Sequence, residues 1–322
     1  MMKRRRFTAA MLAAPIWPSW SLAQSGPYPN RPVKLVVPFP PGSAGDLVSR
    51  MLASKLQAGL GQPVVLEHKP GAAGNIAAEF VARAPADGYT LLSATSAIVI
   101  TPWLQKAPID PAIDLLPLSQ TIAGSYVLLV NPSFPARTFP EFLEVARKNP
   151  GKFSYASYGN GSGTHLAMEL LKVRAGLFIT HVPYRGAAPA MHDLIGGRVE
   201  MAFDTTLTAI PQIRAGKVRA IALGGPTTYD VLPGVPTIAQ TFAGFDTDGW
   251  QGIFAPVGTP QDIARRLCQE IAKAMQSPDV TTRLNELGFQ SIGGTQQSFT
   301  VLVAAEHARY GQLIRERGIR PD

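Results

Sequence analysis

The fold is decided at residues 36–46, Val36-Val37-Pro38-Phe39-Pro40-Pro41-Gly42-Ser43-Ala44-Gly45-Asp46, and again at residues 155–165, Tyr155-Ala156-Ser157-Tyr158-Gly159-Asn160-Gly161-Ser162-Gly163-Thr164-His165. In each stretch a short apolar run passes through a glycine-rich turn into a helical pattern. Such a turn leaves the first backbone N–H groups of the helix unpaired, and the helix dipole adds positive potential there. A carboxylate or phosphate is therefore attracted. Two such turns facing each other would hold a small anion from both sides, which indicates ligand capture rather than chemistry.

Short apolar runs alternate with helical patterns along the rest of the chain. The predicted strands are Val33–Val37, Val64–Glu67, Tyr89–Ala94, Tyr126–Val130, Phe153–Ser157, Ile179–Pro183, Glu200–Phe203 and Val218–Leu223. The predicted helices of the second half are Thr164–Arg174, Ala188–Ile195, Leu207–Arg214, Pro260–Met275, Asp279–Leu287 and Gln296–Arg317. This alternation predicts an α/β fold with parallel-rich sheets and flanking helices. In open sheets of this class, ligands bind beyond the carboxyl ends of the strands.

The order of the elements predicts two lobes around a cleft. Residues 24–126 form the first part of lobe 1 and residues 127–249 form lobe 2. Residues 250–322 return through the hinge, and their helices pack on lobe 1. Tyr126–Pro132 and Trp250–Pro256 are predicted as the two crossover strands. Two linking strands beside a cleft make a hinge.

The first 23 residues have the pattern of a secretory signal peptide. Lys3 and Arg4–Arg6 precede an apolar stretch that ends at Ser21-Leu22-Ala23, so cleavage before Gln24 is expected. Sec and twin-arginine export both remain open, and the alternative is an uncleaved anchor. Cleavage removes four basic residues and lowers the net charge from +8 to +4. No long basic run remains, which argues against nucleic acid as a partner.

The first turn contributes one group of candidate ligand-binding residues. They are Phe39, Pro41, Gly42, Ser43, Ala44 and Asp46, together with Thr95 after a later strand. Ser43 and the neighbouring amides are the expected donors to an anion. Two roles remain open for Asp46: a charge that complements the helix dipole, or a group that orders the loop.

The second half contributes the other group of candidates. They are Ser157, Gly161, Ser162, Thr164, Tyr184, Arg185, Gly186, Ala188 and Asp204. For the hydroxyls and Asp204, helix capping and ligand binding both remain open. Arg185 is either a bidentate partner for a carboxylate, an exposed side chain, or a partner of Asp193. No catalytic spacing, cofactor motif or zinc pairing of histidines is present, although His165 and His181 could meet in space.

These residues also form a family pattern, so the chain resembles the solute receptors of tripartite tricarboxylate transporters, often called Bug proteins. The matching pieces, in order, are Tyr28-Pro29, Arg31-Pro32, Pro38–Gly42 with Asp46, Lys69–Asn75, Asp87–Leu92, Ser157 with Gly159, Gly161-Ser162, His165-Leu166, His181–Gly186, Gly197–Val199, Phe203-Asp204 and Ala255–Pro260. Ser43 stands where a second glycine is common. Thr205-Thr206 stands where Asn and an apolar residue are usual.

The resemblance implies a two-lobed, type II-like periplasmic binding protein that closes over a small carboxylate. The first lobe would hold a carboxylate with backbone amides and waters, and the second would recognise the rest of the ligand. The receptor would act as a monomer in the periplasm and deliver its ligand to membrane transporter subunits. Two other functions stay open at this point: a co-receptor that presents ligand to a membrane sensor, and an exported α/β hydrolase.

Overall fold

The computed structural model describes residues 27–71, 74–104 and 109–320, so the signal-peptide prediction for residues 1–23 lies outside the described residues. The strands are β1 (Val33–Val37), β2 (Val64–His68), β3 (Thr90–Thr95), β4 (Leu115–Gly124), β5 (Tyr126–Val130), β6 (Ser154–Ser157), β7 (Thr180–Pro183), β8 (Met201–Thr205), β9 (Arg219–Leu223), β10 (Gly249–Pro256) and β11 (Phe289–Ser291). The helices are α1 (Ala44–Leu60), α2 (Asn75–Ala82), α3 (Ala97–Leu104), α4 (Pro111–Asp114), α5 (Phe139–Lys148), α6 (Gly163–Ala175), α7 (Ala187–Ile195), α8 (Thr206–Arg214), α9 (Gln261–Met275), α10 (Pro278–Glu286) and α11 (Gln296–Arg317).

Two mixed sheets organise these elements. The first has the order β11-β4-β10-β3-β1-β2, and the second has the order β7-β6-β8-β5-β9. The α/β class is confirmed, but neither sheet is predominantly parallel. β2, β1 and β3 are parallel, as are β7, β6 and β8, whereas β4, β10, β11 and β5 pair antiparallel. β5 and β10 each follow a passage between the two sheets, and both pair antiparallel with their neighbours on either side.

The chain passes between the sheets at two places that differ from the predicted crossover strands. β5 lies wholly in the second sheet and β10 wholly in the first, so the outgoing passage is the single residue Ser125. Ser125 is buried, its N–H donates to the Tyr229 hydroxyl (3.1 Å), and its hydroxyl accepts from the Gly225 N–H (2.6 Å). The return uses residues 224–248.

Strand β4 was not expected from the sequence. Its Pro117 and the polar run that follows argue against a central strand, yet β4 lies between β10 and β11. Register shifts in the β10 pairing accommodate this irregular sequence. Ser119 and Thr121 are fully buried, and their hydroxyls donate to the backbone carbonyls of Gly294 (2.6 Å) and Gln251 (2.8 Å).

Each sheet is covered by apolar side chains on both faces, which gives four hydrophobic clusters. Helices α1 and α9 pack on one face of the first sheet, and α2, α3 and α11 pack on the other. Trp250 belongs to this second cluster, with its ring 5.2 Å from that of Phe299, so it packs in the core of the first sheet. No helix among the described residues has both the length and the apolar character needed to cross a bilayer.

Candidate functional site

The parallel strands gather the predicted binding residues into two groups. In the first sheet β1 and β3 run side by side, so the turn before α1 and Thr95 lie at one edge. In the second sheet β6, β7 and β8 run in parallel, so the turns before α6, α7 and α8 share an edge. The candidates from residues 157–164, residues 184–188 and Asp204 are therefore neighbours.

The turn before α1 is closed by a reciprocal pair of hydrogen bonds. Gly42 has φ +83°, which places the following Ser43 in position to cap the helix. The Ser43 hydroxyl accepts from the Asp46 N–H (3.3 Å), and the Asp46 carboxylate accepts from the Gly42 N–H (2.8 Å). The Ser43 hydroxyl donates to the Pro40 carbonyl (2.8 Å). In this conformation its proton is used within the turn rather than offered to a ligand.

Asp46 orders this turn. Its side chain is 2% exposed, and besides the Gly42 N–H it contacts Arg50 Nε (2.9 Å) and His68 Nε2 (2.7 Å). Burial alone would raise the pKa of Asp46, but the hydrogen bonds from Arg50, the Gly42 N–H and His68 outweigh it and lower the pKa to about 2. The carboxylate is thus ionised and its charge is neutralised locally. Asp46 therefore fills both roles that the sequence left open: its charge complements the dipole of α1, and its hydrogen bonds order the loop.

The free donors of the first turn are backbone amides. Among the described residues, no acceptor lies within hydrogen-bonding distance of the Ala44 and Gly45 N–H groups. The Phe39 ring covers Gly45 so closely that a Cβ there would stand 2.3 Å from Cδ2 of the ring. Pro41 is exposed at the tip of the turn, and Thr95 is half-buried at the end of β3. The first turn therefore presents two amides beside an aromatic wall.

The turn before α6 repeats the arrangement with a different acceptor. Gly161 has φ +74°, and the Ser162 hydroxyl caps α6 by accepting from the His165 N–H (3.3 Å). The Gly161 N–H donates to His165 Nδ1 (3.0 Å), where the first turn uses a carboxylate. The Thr164 hydroxyl accepts from the Tyr158 N–H (3.1 Å) and lies 3.1 Å from the Ser162 hydroxyl. Capping is thus the structural role that these hydroxyls fill.

Aromatic rings stack behind the second turn. The His165 and His181 rings are parallel, with centroids 4.0 Å apart, and Tyr155 stacks on His181 at 4.8 Å. The fully buried Ser157 hydroxyl lies 2.7 Å from His181 Nε2 and also accepts from the Gly159 N–H (3.1 Å). The two histidines meet, as the sequence allowed. Among the described residues, no group of three or more His, Cys, Asp or Glu side chains could hold a metal ion.

Asp204 lies at the end of β8 and is 2% exposed. One carboxylate oxygen accepts from the Thr205 N–H (2.6 Å), the Tyr158 hydroxyl and the Thr208 hydroxyl. Burial raises the pKa of Asp204 to about 6, because it outweighs the hydrogen bonds from Thr208, Tyr158 and the Thr205 N–H. Asp204 therefore ties β8, α8 and the second turn together, and it titrates near neutral pH.

The turn before α7 is the most exposed part of the second group. The Tyr184 hydroxyl donates to Asp193 (2.9 Å), and its N–H donates to the Ser157 carbonyl (3.0 Å). Asp193 pairs with Arg198 (2.7 Å) rather than with Arg185, which is exposed. Gly186 has φ +107° before α7, and Ala188 is exposed in its first turn. Arg185 can therefore reorient toward an anion without breaking an internal ion pair.

A cleft of about 530 Å³ lies between the lobes. Its lining comes from the first turn, from the start of α8 and from α10 and the residue after it: Gly42, Ser43, Asp46, Leu47, Arg50, Leu207, Thr208, Arg283 and Leu287. The second turn also contacts the first lobe, because a Cβ added to Gly161 would stand 2.2 Å from Cδ1 of Leu104 in α3. Both turns thus lie between the lobes, although Tyr184 and Arg185 do not line this cleft.

The family comparison identifies the kind of protein. The model of the "Tripartite tricarboxylate transporter family receptor" matches residues 48–319. The chain belongs to this receptor family. The resemblance seen in the sequence motifs is thereby confirmed.

Relatives of the receptor family share both sequence and fold with this chain. The protein BugT of Bordetella pertussis is 34% identical over 297 residues, which cover 91% of each chain. The solved structure of R. palustris Rpa4515 with adipate is 36% identical and has a TM-score of 0.83, covering 92% of this chain and all of that one. MatC of Rhodopseudomonas palustris, with bound malate, is 31% identical at a TM-score of 0.78, covering 89% of this chain and all of that one.

Several residues that build the site were not among the sequence candidates. His68 and Arg50 hold Asp46, and His165 holds Gly161. A signal for His165 was present in the sequence. The two turns align as Gly-Ser-x-x-Asp (42–46) and Gly-Ser-x-x-His (161–165), so both acceptors occupy the third helical position after the cap. His68 comes from a different strand and carries no such local signal.

Proposed function

We propose that this receptor captures a small carboxylate in the cleft between its two lobes and delivers it to a secondary transporter of the tripartite tricarboxylate type. It acts as a monomer in the periplasm, after export through a signal peptide cleaved before Gln24. The protein binds its ligand without converting it. Membership of this receptor family supports delivery to a membrane transporter over presentation to a sensor.

The first turn of α1 is the observation that carries the proposal. Within the part of the chain that the structure describes, no acceptor pairs with the Ala44 and Gly45 N–H groups, and their turn opens on the cleft. Unpaired amides at a helix N-terminus bind anions. Asp46 lines the cleft, but Arg50, His68 and the Gly42 N–H hold its carboxylate and offset its charge. Adipate and malate, present with Rpa4515 and MatC, are both small carboxylates.

The second lobe sets specificity in this proposal. Amides of the first turn recognise any carboxylate, so we assign discrimination to second-lobe groups outside the lining of the described cleft, which the far end of a ligand would have to meet: Tyr184, Arg185, Asp204 and Thr205. A site that hydrogen-bonds one polar group rejects analogues lacking it, because its own buried partners are left unpaired. Asp204→Ala should therefore reorder a series of ligands. Ser43→Gly removes a hydroxyl that is used within the first turn, so it should change all affinities together instead of reordering them.

A ligand panel tests the proposal. Thermal shift and calorimetry with adipate, malate, hexanoate and adipamide separate carboxylate recognition from recognition of chain length, because ligand binding to the native state raises the unfolding temperature. Carboxylates should raise it and adipamide should not. Lys148→Ala, an exposed side chain paired only along its own helix to Glu144, is the matched control.

Three results would contradict the proposal. One is a panel in which no carboxylate shifts the unfolding temperature while adipamide does. Another is recovery of altered ligand in stoichiometric excess after long incubation, which would make the protein an enzyme. A third is an unchanged radius of gyration by small-angle scattering at saturating ligand, which would replace lobe closure with a rigid, preformed cleft.

A further inference from the structure

The second turn depends on an imidazole acceptor. The Gly161 N–H donates to Nδ1 of His165 at 3.0 Å, and the His165 side chain is buried, at 5% exposure. Gly161 has a positive φ and immediately precedes the Ser162 cap of α6. This hydrogen bond therefore fixes the conformation from which the turn presents its amides.

An imidazole nitrogen accepts a hydrogen bond only when it carries no proton. The geometry therefore assigns His165 the neutral form, with its ring proton on Nε2. A proton taken from solvent by Nδ1 would convert it from an acceptor to a donor and leave it facing the Gly161 N–H. The Gly161 amide would then lose its partner. An imidazole ordinarily titrates at about pH 6.5, within the range that proteins encounter.

Several titratable and charged groups surround His165 and influence its uptake of a proton. The parallel His181 ring lies 4.0 Å away, so two imidazolium charges would repel each other strongly there. Tyr155 continues the stack and donates to Glu169 (2.6 Å), which pairs with Lys172 (2.5 Å). The Glu169 and Lys172 charges largely cancel. Asp204 reaches the same turn through the Tyr158 hydroxyl.

We propose that His165 is a positioning residue whose neutral imidazole holds the second binding turn, and that protonation of its Nδ1 in mildly acidic solution releases Gly161 and weakens ligand capture. The effect on capture rests on the function proposed above, whereas the effect on the turn does not. The proposal adds a pH response that belongs to one lobe.

The first turn supplies an internal control. There the Gly42 N–H is held by the Asp46 carboxylate, which stays ionised far below the range in which imidazole titrates. Between pH 8 and pH 5 the Gly42 amide should keep its partner while the Gly161 amide loses it. A general loosening of the protein in acid would affect both.

Two substitutions separate the acceptor from the ring. In His165→Asn, the amide Oδ1 stands one bond from Cγ, as Nδ1 does, and it accepts at every pH. In His165→Phe, the aromatic stack on His181 is kept and the acceptor is lost. A third variant, His181→Phe, removes the other titrating ring while leaving the His165 acceptor in place. Circular dichroism confirms that each variant folds.

The first measurement needs no ligand. Amide hydrogen exchange of Gly161 and Gly42, corrected for the intrinsic rate at each pH, is followed by NMR from pH 8 to pH 5. In the wild type, Gly161 should lose about five- to tenfold of its protection in acid, the equivalent of one net hydrogen bond. His165→Asn should keep that protection throughout, and His165→Phe should lack it at both extremes. Gly42 should be unchanged in all three.

The second measurement uses adipate as the probe. Its dissociation constant at pH 5 divided by that at pH 8 should be about five- to tenfold larger for the wild type than for His165→Asn. Taking this ratio between variants cancels the titration of adipate and of Asp204, which both proteins share. If adipate and the other carboxylates fail to bind, the proposed function fails and the exchange measurement alone decides the role of His165.

Specific outcomes overturn the inference. Equal protection of Gly161 in the wild type and in His165→Phe at pH 8 would show that the imidazole does not hold the turn. Identical pH profiles for the wild type and His165→Asn would remove the pH response from His165. A response lost in His181→Phe but retained in His165→Asn would transfer it to the neighbouring ring and contradict the assignment.

Discussion

The two glycine-rich turns have the same backbone arrangement but are held by different chemistry. Each has a glycine at positive φ, a serine that caps the helix, and a side chain three residues later that accepts from the glycine N–H. The first turn uses Asp46, which two cationic or polar side chains also hold. The second turn uses His165, which is held in a ring stack.

The difference shows that the backbone, rather than the acceptor, is the shared requirement. A carboxylate in the first turn places a charge near the anion site, so Arg50 is needed to neutralise it. An imidazole in the second turn is neutral and needs no such partner, but it titrates. The first turn should therefore be indifferent to mild acid, while the second turn should be sensitive to it.

The largest expected effect comes from the different amounts of space beside the glycine of each turn. A Cβ on Gly161 would stand 2.2 Å from Leu104 Cδ1, whereas a Cβ on Gly42 would meet nothing within 4 Å. Gly42→Val should lower the free energy of unfolding by about 1–2 kcal/mol through the left-handed backbone alone. Gly161→Val should add roughly 1–3 kcal/mol of overpacking. Urea denaturation measures both.

Gly216→Val is the matched control for the binding effect of these variants. Gly216 has φ +67° and open space around it, but it lies away from both turns. Gly42→Val and Gly161→Val should weaken adipate binding far beyond the loss of stability that Gly216→Val reproduces. Equal affinities in calorimetry for all three would show that the turns do not approach the ligand.

Removing the first acceptor comes next. Asp46→Ala leaves the Gly42 N–H, Arg50 and His68 without a buried partner, and it should destabilise the protein by roughly 3 kcal/mol. The folded-state pKa of about 2 lies below the unfolded value of about 3.9. The stabilisation from this carboxylate is therefore fully present above about pH 4 and is lost as the pH falls toward 2. Asp46→Ala should flatten this part of the stability profile, and an unchanged profile would refute the assignment.

Asp204 should give the opposite pH dependence. Its folded-state pKa of about 6 lies above the unfolded value of about 3.9, so the folded state holds the proton more tightly. The contribution to stability is present below about pH 4 and is lost as the pH rises through 6. Asp204→Asn keeps an oxygen acceptor without a charge, so relative to the wild type it should gain about 3 kcal/mol of stability between pH 4 and pH 8. Parallel wild-type and variant profiles would contradict the buried-charge account.

The smallest expected effect should be equal in the two turns. Ser43→Ala and Ser162→Ala each remove one helix cap, and each should cost about 1 kcal/mol of unfolding free energy. Equality follows because both hydroxyls make the same bond, at 3.3 Å to the third helical N–H. A difference well beyond 1 kcal/mol would show that one serine has a role outside the cap. Thr138→Ala, which uncaps α5 away from the cleft, calibrates the measurement.

Local patterns predicted the elements that depend on local physics. β1 and β5 begin and end at the predicted residues, because each is a continuous apolar run bounded by turn residues. Helix capping was among the alternatives for Ser162, whereas Ser43 was expected to donate to an anion and instead caps α1. Asp204 does not cap α8, whose N-cap is Thr205. Because Pro117 argues against a central strand, the sequence predicted neither β4 nor the outgoing crossover at Ser125.

Contacts between distant segments could not be predicted in the same way. Asp46 meets His68 across a span of 22 residues, and Tyr158 meets Asp204 across 46. The sequence position of one member of a pair does not indicate its partner, because the order of the parallel strands determines which turns become neighbours. The structure brings the candidates of each half together at one sheet edge, while their role in ligand binding stays a prediction. Their partners within each half came only from the structure.

The pairing of β4 with β10 means that the second lobe is inserted between two adjacent antiparallel strands of the first sheet. These strands are antiparallel neighbours, and Gly124 faces Gly249 where the chain leaves the first sheet and where it comes back. Everything between them departs and returns at adjacent points. A two-residue Asn-Gly turn could join Gly124 to Gly249 directly, since such turns connect antiparallel strands. The connection between the lobes is thus confined to one point of the first sheet, where a single short turn would replace all of residues 125–248.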